Sequence, residues 1–167
     1  MTHTDPITFR RVMGHFATGV TVVATQHLGG GMCGLTANAF TSLSLSPPLV
    51  LVCVDRSSLT FPCIQASGRF TASVLSAGQH QSSLRFAERR EGKFDGIPFR
   101  AGLTGMPILE GSLAHLECEV EAEYSGGDHV ILVARVIDAG SSEGLPLVFF
   151  RGGYTTIAQP VVDEEPE

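Results

Sequence analysis

Ala114-His115-Leu116-Glu117-Cys118-Glu119-Val120-Glu121-Ala122-Glu123-Tyr124 is the most regular stretch of this chain. Its even positions are apolar or small, and its odd positions are one histidine followed by four glutamates. A period of two belongs to a β-strand with one face in a core and the other in water. The acidic row therefore reads as a solvated outer face rather than a paired-carboxylate or metal-binding face. Ser125-Gly126-Gly127-Asp128 then turns the chain into an apolar strand over 130–137.

Upstream, residues 20–26 are rich in valine and threonine, as strands are. Gly29-Gly30-Gly31 makes a turn, residues 34–45 read as one further extended segment, and Pro47-Pro48 closes it. Residues 49–54 (LVLVCV) are apolar on both faces and predict a core strand. Residues 70–75 and 147–150 complete the strands, the second of these being the last. Helices are predicted at three places. One follows Asp5-Pro6, where a cap and a first-turn proline precede apolar residues at helical spacing and Gly19 ends the run. A short one over 58–66 ends before Gly68. The third, over 79–90, has Leu84, Phe86 and Ala87 as its apolar side. Residues 92–111 read as a surface excursion and 160–167 as a frayed acidic tail. Strands joined by short turns imply antiparallel pairing, and the βαβ rhythm of a parallel sheet is missing. A mainly β barrel with a few flanking helices, one domain over 1–167 with its core in about 7–158, fits best.

The formal net charge of -6 argues against nucleic acid or an anionic membrane as partner. Basic residues are nearly all arginine, and Lys93 is the one lysine. No apolar run reaches a membrane span and no signal peptide opens the chain, so a cytoplasmic location is expected. Cys33, Cys53, Cys63 and Cys118 form no CxxC pair, which predicts four buried or idle thiols and no metal. Two motifs are refused. Gly29, Gly31 and Gly34 satisfy GxGxxG, but a strand rather than a helix follows them, so the reading is a glycine hairpin. Residues 140–144 satisfy GxSxG without a following helix or any later histidine, so Ser142 is a turn residue.

Three segments can carry chemistry. Thr36-Ala37-Asn38-Ala39-Phe40-Thr41-Ser42-Leu43-Ser44 is a strand of small and hydroxylic residues holding the chain's one asparagine. Small side chains let a flat ring approach the backbone, and amides and hydroxyls supply directional bonds; a Thr/Ser strand with a wet face is the plainer alternative. Asp55-Arg56-Ser57-Ser58-Leu59-Thr60 offers amides, hydroxyls and a guanidinium to a phosphate, or else an ordinary helix cap. Gly127-Asp128-His129 is a polar handle at a tight turn, or a turn with a surface histidine.

In order, these segments resemble the short flavin reductase family, the FMN-binding split barrels that feed reduced flavin to partner monooxygenases. The resemblance runs from Phe9-Arg10-Arg11-Val12-Met13-Gly14-His15-Phe16-Ala17-Thr18-Gly19-Val20-Thr21-Val22-Val23 through Gly34-Leu35-Thr36-Ala37-Asn38-Ala39-Phe40, Ser42-Leu43-Ser44 and Pro47-Pro48. It continues in Ser73-Val74-Leu75, Phe86-Ala87, Lys93-Phe94, Leu116-Glu117-Cys118, Gly127-Asp128-His129 and Arg151-Gly152-Gly153-Tyr154. It implies a six-stranded antiparallel split β-barrel, a homodimer, and NADH or NADPH reducing FMN or FAD, with reduced flavin reaching the oxygenase by diffusion.

By the same resemblance Thr36, Ala37, Asn38 and Ala39 line the flavin ring, with Ser42 close by. Ser57, Ser58 and Thr60 hold the ribityl and phosphate end. Gln79, Ser82, Ser83 and Phe86 lie where the family brings a loop and helix to the cofactor. His129, the catalytic candidate, places the nicotinamide, Asp128 shapes its turn, and Arg151 and Tyr154 close the pocket. Because lysine is scarce, phosphate charge is expected to fall to arginine, hydroxyls or amides. Hydride transfer needs no strong protein acid or base. The rival readings are a pyridoxamine-phosphate-oxidase-like split barrel and a noncatalytic flavin carrier or sensor.

Overall fold

The computed structural model describes residues 4–158, and the expected acidic tail lies outside the described residues. In chain order the elements are α1 (Pro6–Met13), β1 (Thr18–Gly19), β2 (Thr21–Gln26), β3 (Met32–Ala37), β4 (Phe40–Leu45), β5 (Pro48–Asp55), α2 (Phe61–Ser67) and β6 (Arg69–Val74). A 3-10 turn (Ala77–Gln79) leads into α3 (His80–Ala87). Then come β7 (Phe99–Ala101), β8 (Pro107–Leu109), β9 (Ala114–Gly126), β10 (His129–Ser141), β11 (Val148–Phe150) and β12 (Gly153–Thr155).

Seven strands form one antiparallel sheet in the order β3-β2-β6-β9-β10-β5-β4. Its two edge strands, β3 and β4, are consecutive in the chain. The segment 34–45, read above as one strand, breaks at Asn38-Ala39 into two strands on opposite edges, which accounts for seven strands where six were expected. The chain crosses between these edges at Asn38-Ala39, a seam where the Cys53 amide of β5 donates to the Ala39 carbonyl at 2.9 Å and extends the β4–β5 ladder. The long β9–β10 hairpin is the strand pair foreseen from the glutamate alternation, with Gly127 at φ 76° in its turn.

On one face of the sheet pack Val23, Val50, Val52, Val54, Phe70 and Leu132, with Phe61 and Ile64 of α2 against them. In β5 the valines face inward while Leu49, Leu51 and Cys53 are only partly covered, so its two faces are not equally buried. A second cluster lies on the other face, where Val20, Val22 and Leu75 meet Phe86 of α3, Phe94 and Leu109. Sandwiched between the two clusters, β2 is buried on both faces. Its threonines are tolerated because Thr21 Oγ1 donates to Ala37 O at 2.8 Å and Thr25 Oγ1 to Arg69 O at 2.7 Å.

Several expectations change. Helix α1 starts as foreseen, with Asp5 Oδ1 accepting from the Ile7 and Thr8 amides at 3.0 Å, but it stops at Gly14. None of its residues is buried in the single chain. The excursion 92–111 contains the β7–β8 hairpin and buries Phe94, Ile108 and Leu109. That hairpin covers part of the acidic row. Glu117 is 1% exposed, and its carboxylate accepts from the Leu103 and Thr104 amides at 2.6 and 2.7 Å. Burial pushes this carboxyl up, but hydrogen bonds from the Thr104 hydroxyl, the Thr104 amide and the Leu103 amide outweigh it and hold the pKa below the ordinary value. Glu119 and Glu121 stay partly exposed and pair with Arg69 and Arg135. The thiols are not all idle: Cys33 of β3 and Cys63 of α2 form a disulfide. Cys118 is free and buried, which pushes its thiol up to about 12 and leaves it inert. After the last foreseen strand, a further one, β12, pairs with β11. No helix among the described residues is long and apolar enough to cross a membrane.

Candidate functional site

The seam between β3 and β4 is one wall of a cleft of about 280 Å³. Thr36, Ala37, Asn38 and Ala39 form that wall because the chain must turn there from one sheet edge to the other. Facing it are Asp55, Ser57, Ser58 and Leu59, from the loop that carries β5 into α2. His129 closes one end, and Phe86, Ala87, Glu88, Arg89 and Lys93 close the other.

Each wall is held locally. Asp55 Oδ1 accepts from the Ser57 amide at 2.7 Å, and Ser58 Oγ accepts from the Thr60 amide at 3.2 Å. The bonds from Ser57 keep the Asp55 carboxyl below its ordinary pKa, with His129 contributing. His129 sits opposite Asp55 in the β10–β5 ladder, and its Nδ1 lies 2.7 Å from Asp128 Oδ1. This pairing fixes the ring and leaves Nε2 free of a protein partner among the described residues.

On the outer side, α3 is clamped to β3. Thr36 Oγ1 donates to Ser83 O at 2.7 Å, and the Phe86 ring lies against Gly34, where a side chain would not fit. The buried side of α3 is Ser83 and Phe86, not the expected Leu84, Phe86 and Ala87, since Leu84 is exposed. The Ser83 hydroxyl meets Tyr154 Oη at 2.8 Å, which places Tyr154 over a small hollow that shares Thr36, Asn38 and Ala87 with the cleft.

The structure thus gathers Thr36, Ala37, Asn38, Ala39, Ser57, Ser58, Phe86 and His129 around one cavity, with Asp128, Ser83 and Tyr154 immediately behind it. Ser42 and Ser82 are not among its lining residues. Gln79 is occupied elsewhere, with Oε1 accepting from the Ser76 amide and Nε2 donating to Glu110 O. Thr60 is buried and faces a neighbouring cavity. Arg56 reaches the β9–β10 turn, donating to Gly127 O and Ser125 Oγ, rather than a phosphate cradle. Arg151 lies in the β11–β12 turn with its amide on Gly14 O.

Sequence reasoning missed the cations. Arg89 and Lys93 stand on the cleft wall just after α3. Lys93 is 8% exposed, and its Nζ donates to Gly34 O and Phe86 O at 3.0 and 2.9 Å. A lysine shortly after an amphipathic helix, in a chain with no other lysine, was the available signal.

A flat wall of alanines beside an asparagine, hydroxyls on the facing loop, and buried positive charge at one end fit a phosphorylated heteroaromatic ligand. The comparisons agree. Residues 13–158 match the family model of the flavin reductase like domain. The reductase subunit of a flavin-dependent monooxygenase from Mycobacterium tuberculosis is 42% identical over 92% of this chain and 83% of its own length. An NADH-dependent FAD reductase from Streptomyces globisporus is 40% identical over 96% and 90%. The crystal structure of that organism's NADH:FAD oxidoreductase with NAD and FAD fragments superposes with a TM-score of 0.87 at 39% identity, covering 98% of this chain and 100% of that one. A nitrilotriacetate monooxygenase component B homologue from Mycobacterium thermoresistibile gives 0.88 at 40% identity, covering 95% and 92%. With fold, cleft and relatives agreeing along nearly its whole length, the chain belongs to the flavin reductase-like family and is an NAD(P)H-dependent flavin oxidoreductase.

Proposed function

We propose that this chain reduces a flavin with NADH and releases the reduced flavin to a separate monooxygenase component. The observation that carries this reading is the single cleft that joins the alanine-walled seam, the Ser57-Ser58 loop and His129. When bound, the flavin supplies the two-electron acceptor, so the protein's work is positioning and screening. Ala37 and Ala39 keep the seam flat for a ring, and Asn38 supplies directional bonds to its heteroatom edge. Ser57 and Ser58 take the ribityl and phosphate end, and Arg89 and Lys93 balance its charge. His129, held by Asp128, orients the nicotinamide from the open end. Tyr154 and Ser83 act through Thr36 by fixing α3 and β3 together.

The apolar side of α1 is the dimer surface in this reading. Ile7 is 79%, Val12 60% and Phe16 70% exposed in the single chain, and Leu45 at the end of β4 is 94% exposed. Side chains of this kind are covered in a stable assembly, and a homodimer is the assembly we assign.

The test is NADH oxidation in air by the purified protein with added FMN or FAD, repeated with NADPH. Flavin-dependent loss of NADH absorbance is expected. No loss with either nucleotide, in protein that binds flavin, would replace the reductase reading with a carrier.

A further inference from the structure

Both walls of the flavin cleft lead to the Cys33–Cys63 bridge. Cys33 precedes Thr36 and Ala37 on β3, and Cys63 follows Ser57 and Ser58 into the first turn of α2. The bridge is therefore a covalent tie between the alanine wall and the serine wall. Each wall otherwise has its own support. β3 is an edge strand, hydrogen-bonded to β2. The serine loop is bonded into α2, the Ser58 amide donating to Asp55 O at 3.0 Å and the Ile64 amide to Thr60 O at 3.1 Å, so loop and helix move as one piece. The start of that loop is held by the Arg56 amide on Asp128 O at 3.1 Å, and its far end by the bridge.

The two sulfurs are reachable. Cys33 and Cys63 line a cavity of about 510 Å³ that shares Leu59 and Lys93 with the flavin cleft. Its charges are mixed, with His27, Arg90 and Lys93 against Glu91 and Asp95, and such a wall suits a small neutral oxidant. Cys33 is partly exposed and Cys63 is buried, so Cys33 is the sulfur met first. The dithiol form is accommodated as well, because Cys63 Sγ lies 3.6 Å from Leu59 O, an acceptor for its S–H one helical turn back. The reaction itself leads to a neutral oxidant. Dioxygen takes two electrons and two protons from reduced flavin that no oxygenase consumes, and becomes hydrogen peroxide.

We propose that Cys33 and Cys63 are a peroxide-sensitive dithiol that sets how tightly the cleft holds flavin. This rests on the flavin reductase reading of the cleft and adds regulation to it. Cys33 Sγ attacks one peroxide oxygen, the O–O bond breaks, and the other oxygen leaves as water with the thiol proton, giving a sulfenic acid. Cys63 Sγ attacks that sulfur, the S–S bond forms, the S–O bond breaks, and a second water leaves with the Cys63 proton. The two thiols lose two electrons, and the peroxide becomes two waters. A dithiol reductant returns the electrons by exchange through a mixed disulfide. With the bridge closed, the two walls are fixed and flavin leaves more slowly, so release of reduced flavin falls when peroxide signals that the oxygenase lags.

The experiment uses the full chain, reduced with a dithiol, freed of it, and treated with equimolar hydrogen peroxide. The intact mass falls by two hydrogens, and peptide mapping finds Cys33 joined to Cys63. In fluorescence titrations the bridged protein binds FMN and FAD about threefold to tenfold more tightly than the dithiol protein, the gain expected when a loop is fixed in its binding conformation. Fresh dithiol reverses the change. With NADH and flavin in air, and no oxygenase, turnover by the reduced protein slows with time, and catalase prevents the slowing. Cys33→Ser keeps the affinity of the dithiol form after peroxide. The comparison of the two wild-type forms needs no variant, so it does not depend on how the serine variant folds. Peroxide that leaves the two thiols unjoined, or a bridge that forms without changing flavin affinity, would overturn the proposal. So would Cys33→Ser responding to peroxide as wild type does, which would move the effect to Cys53 on the cleft wall. Bridging read by mass needs no flavin, so a protein that bridges but reduces no flavin would overturn the reading beneath it instead.

Discussion

Gly34→Ala tests whether the flavin wall is set by the close approach of β3 to α3. A Cβ at this position would lie 2.7 Å from Phe86 Cε1, 2.8 Å from Cδ1 and 3.3 Å from Phe94. Carbon atoms pack at about 3.5–4.0 Å, so the ring or the strand must give by about 1 Å. The ring has nowhere to go: Phe86 is 0% exposed and meets the Phe94 ring edge-on at 4.9 Å. Overpacking of this kind costs about 1–3 kcal/mol, a fall in Tm of roughly 2–12 °C for a chain of this size. The movement also loosens the Thr36–Ser83 bond of 2.7 Å and the Lys93–Gly34 bond of 3.0 Å, both of which set the cleft wall. Flavin affinity should therefore fall about tenfold or more, since displacements near 1 Å have effects of this order in preorganised sites. The assay is thermal unfolding together with a flavin fluorescence titration. Adding Phe86→Leu makes room for the new methyl, so the double variant should be more stable than the sum of the two single changes by at least about 0.5 kcal/mol. Strict additivity, or Gly34→Ala with unchanged Tm and flavin affinity, would refute the reasoning.

Other expectations follow from single residues. His129→Ala raises KM for NADH while flavin affinity measured without nicotinamide stays the same; equal loss of both would remove His129 from the nicotinamide side. Glu117 is held in its charged form by the 103–104 loop, so its contribution to stability is full above the ordinary carboxyl value of 4.5 and is lost as pH falls through its depressed folded value. The stability gap between wild type and Glu117→Gln should accordingly narrow as pH drops from about 7 to about 3, and a gap independent of pH would contradict this. Cys33 and Cys63 are 30 residues apart in sequence, so Cys63→Ser should cost about 3–4 kcal/mol in urea unfolding under oxidising conditions. Four reactive thiols in the unreduced, denatured protein would show that no bridge forms. Val12→Glu places a charge on the uncovered face of α1 and should yield monomers by light scattering, against dimers for wild type.

The strands were legible because alternation and turn glycines are local signals. Residues 114–124 and the 125–128 turn sit in the β9–β10 hairpin as the period of two requires. The corner at Asn38-Ala39 was not legible, since the sequence on both sides has the same strand composition and only pairing with partners at opposite edges of the sheet forces a break. The buried side of α3 was misjudged because Ser83 looks polar. Its partner Tyr154 is 71 residues away, and no local pattern reveals the bond that permits its burial. The Cys33–Cys63 bridge was hidden for a related reason: a β-hairpin and the helix plugging the sheet bring these residues together, and neither spacing nor motif marks them. At the cleft, the contiguous segments 36–39 and 57–58 both line the cavity. Ser42 is not among the lining residues, and Gln79 and the Arg151 amide are hydrogen-bonded elsewhere. Lys93 was passed over because scarcity of lysine suggested that none served the site, whereas the one present is buried in the cleft wall.

The central claim is that this cleft passes electrons from a nicotinamide to flavin and lets the product go. Its most direct test is anaerobic mixing of catalytic protein with NADH and a large excess of oxidised FAD, following the visible absorbance of the oxidised flavin. The account predicts that many equivalents of flavin are bleached per protein, with a rate proportional to protein concentration. Bleaching that stops at one equivalent, or flavin that stays oxidised while bound, would contradict it.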